Sequence, residues 1–300
     1  MRHRLLKLTC AVSTGAAVIA VSTTTVVGQS QSRTPWGDPD LQGVFTFATI
    51  TPLQRPDDVL GKEVLTDEEA ASLEERTARE RIDRPPRPGD TGTYNRFWVD
   101  YGTRVVGTKR TSLITGSEGK LPPLTAQAHQ KNEARRGTEP QPPTGPESLS
   151  ITDRCILGFN SGPPFLPSAY NNTVQLFQTS DYVVILNEMI HDARIVPLDG
   201  RPHLGGKISQ WSGDSRGRWE GDTLVVETTN FSSSRELSGG INLWRYTEVD
   251  SEQGTALLVE RFTRMDPDTV RYEFTLDDPE TWTNPWSARF PLVRIDGEVF

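Results

Sequence analysis

Between Glu188 and Asp222 the chain concentrates groups suited to moving protons or holding charge: His191, Asp192, Arg194, His203, Asp214, Arg216, Arg218 and Glu220, set around Trp211 and Trp219. Two of the chain's four histidines stand here. Histidine titrates nearest neutral pH, so His191 is the first candidate for a general acid or base. On a strand its side chain shares a face with Val183, Ile185 and Met189, whereas Asp192 and Arg194 take the other, because successive side chains alternate. A partner must therefore come from a neighbouring strand, and Glu227 and Glu260 are the carboxylates placed to supply it. The candidate catalytic set is His191, Glu227 and Glu260. Arg194 or Arg218 would fix a carboxylate or enolate oxygen, and His203, Trp211 and Trp219 would complete the substrate-binding wall. The competing reading makes His191 a hydrogen-bonded barrel histidine and the surrounding charges ordinary ion pairs.

Other chemistries find less support. The gap between His191 and His203 matches no compact ligand spacing, so no metal is expected, and no cofactor motif is present. Gly213 to Gly217 has the glycines of a phosphate loop without its lysine, and reads as a loop at a barrel rim. Ser215 lacks the elbow sequence of a serine hydrolase. Cys155 has only Arg154 nearby to activate it and is expected to be a small buried hydrophobe.

The elements that must carry these residues differ between the two halves. Sixteen of the 22 prolines lie between Pro35 and Pro167, which predicts an extended, loop-rich region with few regular strands. Two helices are expected within it. One starts at the capping box Thr66 to Glu69 and runs towards Arg84 before Pro85. The other covers Thr125 to Arg136 and stops at Gly137. From Tyr170 the pattern turns to period two, predicting strands over 173–178, 182–198, 218–229, 257–265, 269–276 and 287–295. Turn chemistry at Leu198-Asp199-Gly200, Glu220-Gly221-Asp222 and Asp266-Pro267-Asp268 separates them. Connections this short join antiparallel neighbours. The expected fold is mainly β, an antiparallel meander closing into a calycin- or lipocalin-like barrel, with a proline-rich N-terminal half containing two helices wrapped around it. Residues 182–186 are apolar on both parities, which predicts that the proline-rich half covers the sheet there. Trp282 and Trp286 read as a core plug.

The first 28 residues open with Arg2, Arg4 and Lys7 and continue uncharged from Leu8 to Val27, the pattern of a cleaved secretory signal. The expected organisation is 1–28 signal peptide, 29–169 wrapping region and 170–300 barrel, with a periplasmic or secreted location. Loss of the signal removes three cations, taking the net charge from −8 to −11. That charge argues against nucleic acid or an anionic membrane as partner. No stable membrane insertion is expected after cleavage, and the partner is expected to be a small organic ligand. Cys10 leaves with the signal, so Cys155 has no mate for a disulfide.

The stretches Glu188-Met189-Ile190-His191-Asp192-Ala193-Arg194-Ile195-Val196-Pro197-Leu198-Asp199-Gly200-Arg201-Pro202-His203 and Gly213-Asp214-Ser215-Arg216-Gly217-Arg218-Trp219-Glu220-Gly221-Asp222-Thr223-Leu224-Val225-Val226 resemble a large family of exported bacterial proteins that carries no assigned activity. The likeness extends to Trp36 to Gly43, Arg110 to Ile114, Glu260 to Arg264 and Thr283 to Trp286. Members of that family continue past the point matching Phe300 with a segment containing Cys, His and Glu, so a shortened C-terminus is expected here. The resemblance implies export and leaves the activity open. The functional expectation is acid/base chemistry of the lyase, isomerase or hydrolase kind on a small organic molecule. The alternative is a non-catalytic barrel holding an apolar or aromatic ligand.

Overall fold

The computed structural model describes residues 32–80, 99–136 apart from 101 and 117, 142, 144–146, 149, 151–232, 235–236, 248–249 and 255–297. The expected signal peptide and the last three residues lie outside them. Among the described residues two α-helices occur, α1 (Asp67–Glu80) and α2 (Ala126–Arg136). The capping box is formed: Glu69 N–H donates to Thr66 Oγ1 (3.2 Å) and Thr66 N–H to Glu69 Oε2 (2.8 Å), satisfying two N-terminal donors at once.

Nine antiparallel strands make one sheet that curls into a nearly closed barrel. In chain order they are β1 (Gly43–Thr46), β2 (Thr173–Gln178), β3 (Tyr182–Asn187), β4 (Ala193–Pro197), β5 (Asp214–Glu220), β6 (Thr223–Thr229), β9 (Leu257–Asp266), β10 (Thr269–Asp277) and β11 (Trp286–Arg294). The pair β7 (Arg235–Glu236) and β8 (Glu248–Val249) forms a separate two-stranded ribbon. The order across the large sheet is β4-β3-β2-β1-β11-β10-β9-β6-β5. Four residues of the proline-rich region, β1, thus serve as a barrel strand between β11 and β2.

An odd number of antiparallel strands leaves the two edge strands, β4 and β5, running the same way. They meet through side chains and not through a hydrogen-bonded ladder. Gly217 makes this approach feasible, since a Cβ there would lie 2.6 Å from Leu198 Cδ2 and 2.9 Å from Val196 Cγ1. The expected rim loop from Gly213 to Gly217 is instead mostly strand β5. Its residues extend because they pair with β6 through the whole hairpin, from Asp214 opposite Thr229 to Glu220 opposite Thr223.

The predicted single strand 182–198 is two strands joined by a tight reversal. Asn187 N–H donates to Asp192 O (2.9 Å), and Asn187 Oδ1 accepts from Met189 N–H (3.0 Å). Ile190 (φ 54°) and His191 (φ 55°) take left-handed backbone conformations to make it, which costs about 1–2 kcal/mol per residue and must be held by the surroundings. The reversal resets the parity. Arg194 now lies opposite Ile185, and both side chains are buried.

Alternation fills the barrel with Leu258, Phe262, Val270, Tyr272, Phe274, Phe290 and Leu292. Phe165 enters from the proline-rich region, its ring centroid 4.9 Å from Tyr272, and Tyr272 lies 5.0 Å from Phe262 and 5.2 Å from Phe290. Trp282 and Trp286 are buried in edge contact at 6.2 Å. Residues 39–42 close one end, where Gln178 receives Leu41 N–H and donates to Pro39 O, and Arg264 donates to Asp40 O. The segment around Leu113 to Thr115 continues the ladder on β11, exchanging hydrogen bonds with Ser287 and Arg289. The described part of the strap therefore runs along β11; on the outer face of β3 Tyr182 is exposed and Val184 and Leu186 are half-buried. Cys155 is exposed in a turn at φ 53°, not buried. No helix among the described residues is long and apolar enough to cross a membrane.

Candidate functional site

The polar side chains inside the barrel bond to one another. Glu260, fully buried on β9, accepts from Arg194 Nη2 at 3.0 Å, from Arg194 Nη1 in a second short contact, and from the Tyr272 hydroxyl at 2.7 Å. Arg194 also reaches Thr228 Oγ1 (3.5 Å), which bonds Ser215 Oγ (2.9 Å), and Phe165 N–H donates to the Tyr272 hydroxyl (3.3 Å). Burial works against the Arg194 charge, but the paired Glu260 carboxylate outweighs it and the guanidinium is held above its ordinary pKa. Burial, reinforced by Glu260, pushes the Tyr272 phenol well above its usual value, so it remains a donor. Both oxygens of this carboxylate are already engaged, by a bidentate guanidinium and a phenol, so neither is turned towards a substrate. Glu260 and Arg194 act as a strut from β4 to β9 and β10.

A different pair has the geometry of an acid/base site. Asp214, 5 % exposed at the start of β5, accepts from His203 Nδ1 at 3.0 Å and from Leu204 N–H at 2.8 Å. Its other oxygen accepts from Arg216 Nη1 (2.6 Å). Arg216 also donates to Pro202 O (3.1 Å), and Asn230 Nδ2 donates to Leu204 O (2.9 Å). These bonds fix the loop between β4 and β5, where His203 sits. A proton on Nδ1 facing the carboxylate leaves Nε2, on the far edge of the ring, to accept a proton. Leu204, Ile208 and Trp211 are exposed on the same loop. Asp192 Oδ2 accepts from Ser212 Oγ (2.9 Å) at its end.

The remaining sequence candidates are dispersed. His191 is exposed in the β3–β4 reversal and no partner engages its ring among the described residues; Glu260 is inside with Arg194, and Glu227 is outside in an ion pair with Arg218. Arg218 also pairs with Glu220 (2.9 Å), which holds Arg261 (2.8 Å), an exposed network on β5, β6 and β9. Trp219 packs against the core from β5, and its Nε1 is enclosed. Tyr272 and the orienting role of Asp214 were not anticipated. Tyr272 carried only the signal of a phenol on a dry strand face, whereas the link from Asp214 to His203 spans a loop that no periodicity reads.

Among the described residues no group of three or more His, Cys, Asp or Glu side chains is arranged to hold a metal. No protein-family model matches the chain, and no curated protein or solved structure matches it.

Proposed function

We propose that the chain is an exported protein that performs acid/base chemistry on a small organic molecule at the loop between β4 and β5. His203 is the group that takes and returns the proton, and Asp214 is the residue that orients it. The observation that carries this reading is the buried Asp214 carboxylate holding the Nδ1 edge of a partly exposed histidine. Exposed Trp211, Leu204 and Ile208 supply an apolar surface beside it. The N-terminal Arg2, Arg4 and Lys7 ahead of an uncharged run support export. The same apolar surface also favours a second reading, a module that holds an aromatic or aliphatic ligand without converting it.

The test incubates the protein with a panel of small carboxylic acids, esters and phenols and follows products by mass spectrometry and binding by thermal shift. His203→Gln is expected to lower turnover about 100-fold or more while leaving ligand-induced stabilisation in place, the usual scale for a positioned acid/base group. Turnover unchanged in His203→Gln overturns the assignment. Binding of a panel compound by both forms, with no product from either, selects the module that holds its ligand.

A further inference from the structure

The loop from β4 to β5 contains a turn whose glycines neither packing nor backbone conformation requires. Ile208 N–H donates to Gly205 O (2.9 Å), closing residues 205–208, and Asn230 Nδ2, just past β6, holds Leu204 O (2.9 Å) and Gly205 O (3.4 Å). Asp214 takes Leu204 N–H from the other side (2.8 Å), so the clamp that fixes His203 also fixes this turn. Gly205 and Gly206 both lie outside the left-handed region, and a Cβ on either would meet nothing within 4 Å. Their effect is to leave the backbone bare for a close approach. Gly206 N–H and Lys207 N–H donate to nothing among the described residues. Lys207 is exposed and its ammonium has no partner among them either, whereas Asp199 pairs with Arg201, and Asp214 with both His203 and Arg216.

We infer that the Gly205-Gly206-Lys207 turn is an anion subsite, an assignment that rests on the His203 site proposed above, and that the substrate class is small monocarboxylic acids with an aromatic or aliphatic body. Successive bare amide N–H groups make a concavity suited to carboxylate oxygens, and the ammonium beside them supplies the countercharge. Four residues separate His203 from Lys207, so their Cα atoms lie at most about 14 Å apart. Two side chains and a small acid bridge that distance together, with the body of the acid against exposed Leu204, Ile208 and Trp211. The net charge of −8 repels a carboxylate from the surface at large, and an unpaired lysine beside bare amides retains it. A neutral amide of the same acid keeps the apolar contact and loses the charge-assisted one, so the turn separates acids from their neutral analogues.

Calorimetric titration of the chain with benzoate, phenylpropionate and hexanoate, each against its primary amide, tests this. The acids are expected to bind about tenfold tighter than the amides at about 20 mM salt, and the preference to shrink as salt rises to about 0.5 M, because an exposed ion pair is screened. Lys207→Gln is expected to weaken the acids about threefold or more while the amides bind as before, and Lys207→Arg to restore the acids. The amide resonances of Gly206 and Lys207 are expected to move with benzoate and to stay in place with benzamide. Acids that bind no better than amides, acids that bind Lys207→Gln as they bind wild type, or binding by neither series overturns the subsite. Failure of the catalytic reading gives a different pattern. Turnover unchanged in His203→Gln with the acid preference intact removes the proton-transferring role and leaves the subsite standing. Turnover lost in His203→Gln, with acids and amides bound and converted alike, removes the subsite and leaves the role.

Discussion

Replacing Arg194 by Met cuts the strut between β4 and the far wall of the barrel and leaves Glu260 as a buried, uncompensated carboxylate. Glu260 is 0 % exposed and Arg194 7 % exposed, so water cannot take over the lost partner. Breaking such a pair costs about 3–5 kcal/mol. For a chain of this size each kcal/mol lowers Tm by about 2–4 °C, giving an expected drop of about 6–20 °C in the first unfolding transition. The double change Arg194→Met with Glu260→Leu removes both charges but strands the Tyr272 hydroxyl, whose bond to Glu260 is 2.7 Å, at about 1–3 kcal/mol. Adding Tyr272→Phe removes that orphan and leaves only the long Phe165 N–H contact of 3.3 Å without its acceptor. The triple variant is therefore expected to recover most of the loss, because an apolar replacement of a whole buried ionic cluster is neutral or stabilising. Urea unfolding followed by tryptophan fluorescence reads all three. A loss below about 1 kcal/mol for Arg194→Met, or a triple variant as unstable as the single, refutes the strut.

Two further outcomes follow from the same interior. Gly217→Ala places a methyl 2.6 Å from Leu198 Cδ2 and 2.9 Å from Val196 Cγ1 and pushes β5 away from β4. It is expected to cost about 1–3 kcal/mol by overpacking, and a melting temperature equal to wild type contradicts the side-chain seam. Tyr272 has its phenol pKa raised first by burial and then by Glu260. The unfolded chain loses that proton near pH 10, before the folded one does, so stability from this group is complete below about pH 10 and declines as pH rises towards the folded value. Urea midpoints between about pH 9 and pH 11.5 should therefore fall less steeply in Tyr272→Phe than in wild type, and parallel declines count against the buried phenol.

The strands that follow period two were legible. The β9–β10 hairpin formed where Asp266-Pro267-Asp268 stood, with Asp268 N–H donating to Asp266 Oδ1 (2.8 Å), and the capping box marked the start of α1. The β3–β4 reversal was illegible for a physical reason. Left-handed turn positions favour Gly or Asn, and here they are Ile190 and His191, so the segment read as a continuous strand with Arg194 on the wrong face. β1 was missed because four residues, Gly-Val-Phe-Thr, carry too little alternation to register. Glu260 was legible as a charge on the parity of Leu258 and Phe262, but its partner depended on the hidden reversal. The bond between His203 and Asp214 depends on a loop fold set by Asn230 and Arg216, which no local spacing encodes.

The position of β1 has a kinetic consequence. Phe45 sits opposite Val174 of β2 on one side and opposite Arg294 of β11 on the other, so the strand encoded first among those described joins a mid-chain neighbour to the one encoded last. Closing the loop from β1 to β11 costs about 5 kcal/mol of chain entropy on a logarithmic estimate, against the ladder bonds of a four-residue strand. The seam between β1 and β11 therefore closes late. A chain delivered N-terminus first, from a ribosome or through a membrane pore, can pair β1 with β2 once β2 has emerged, but leaves the other edge of β1 open until the final hairpin follows. Closure of that seam is the last event of delivery.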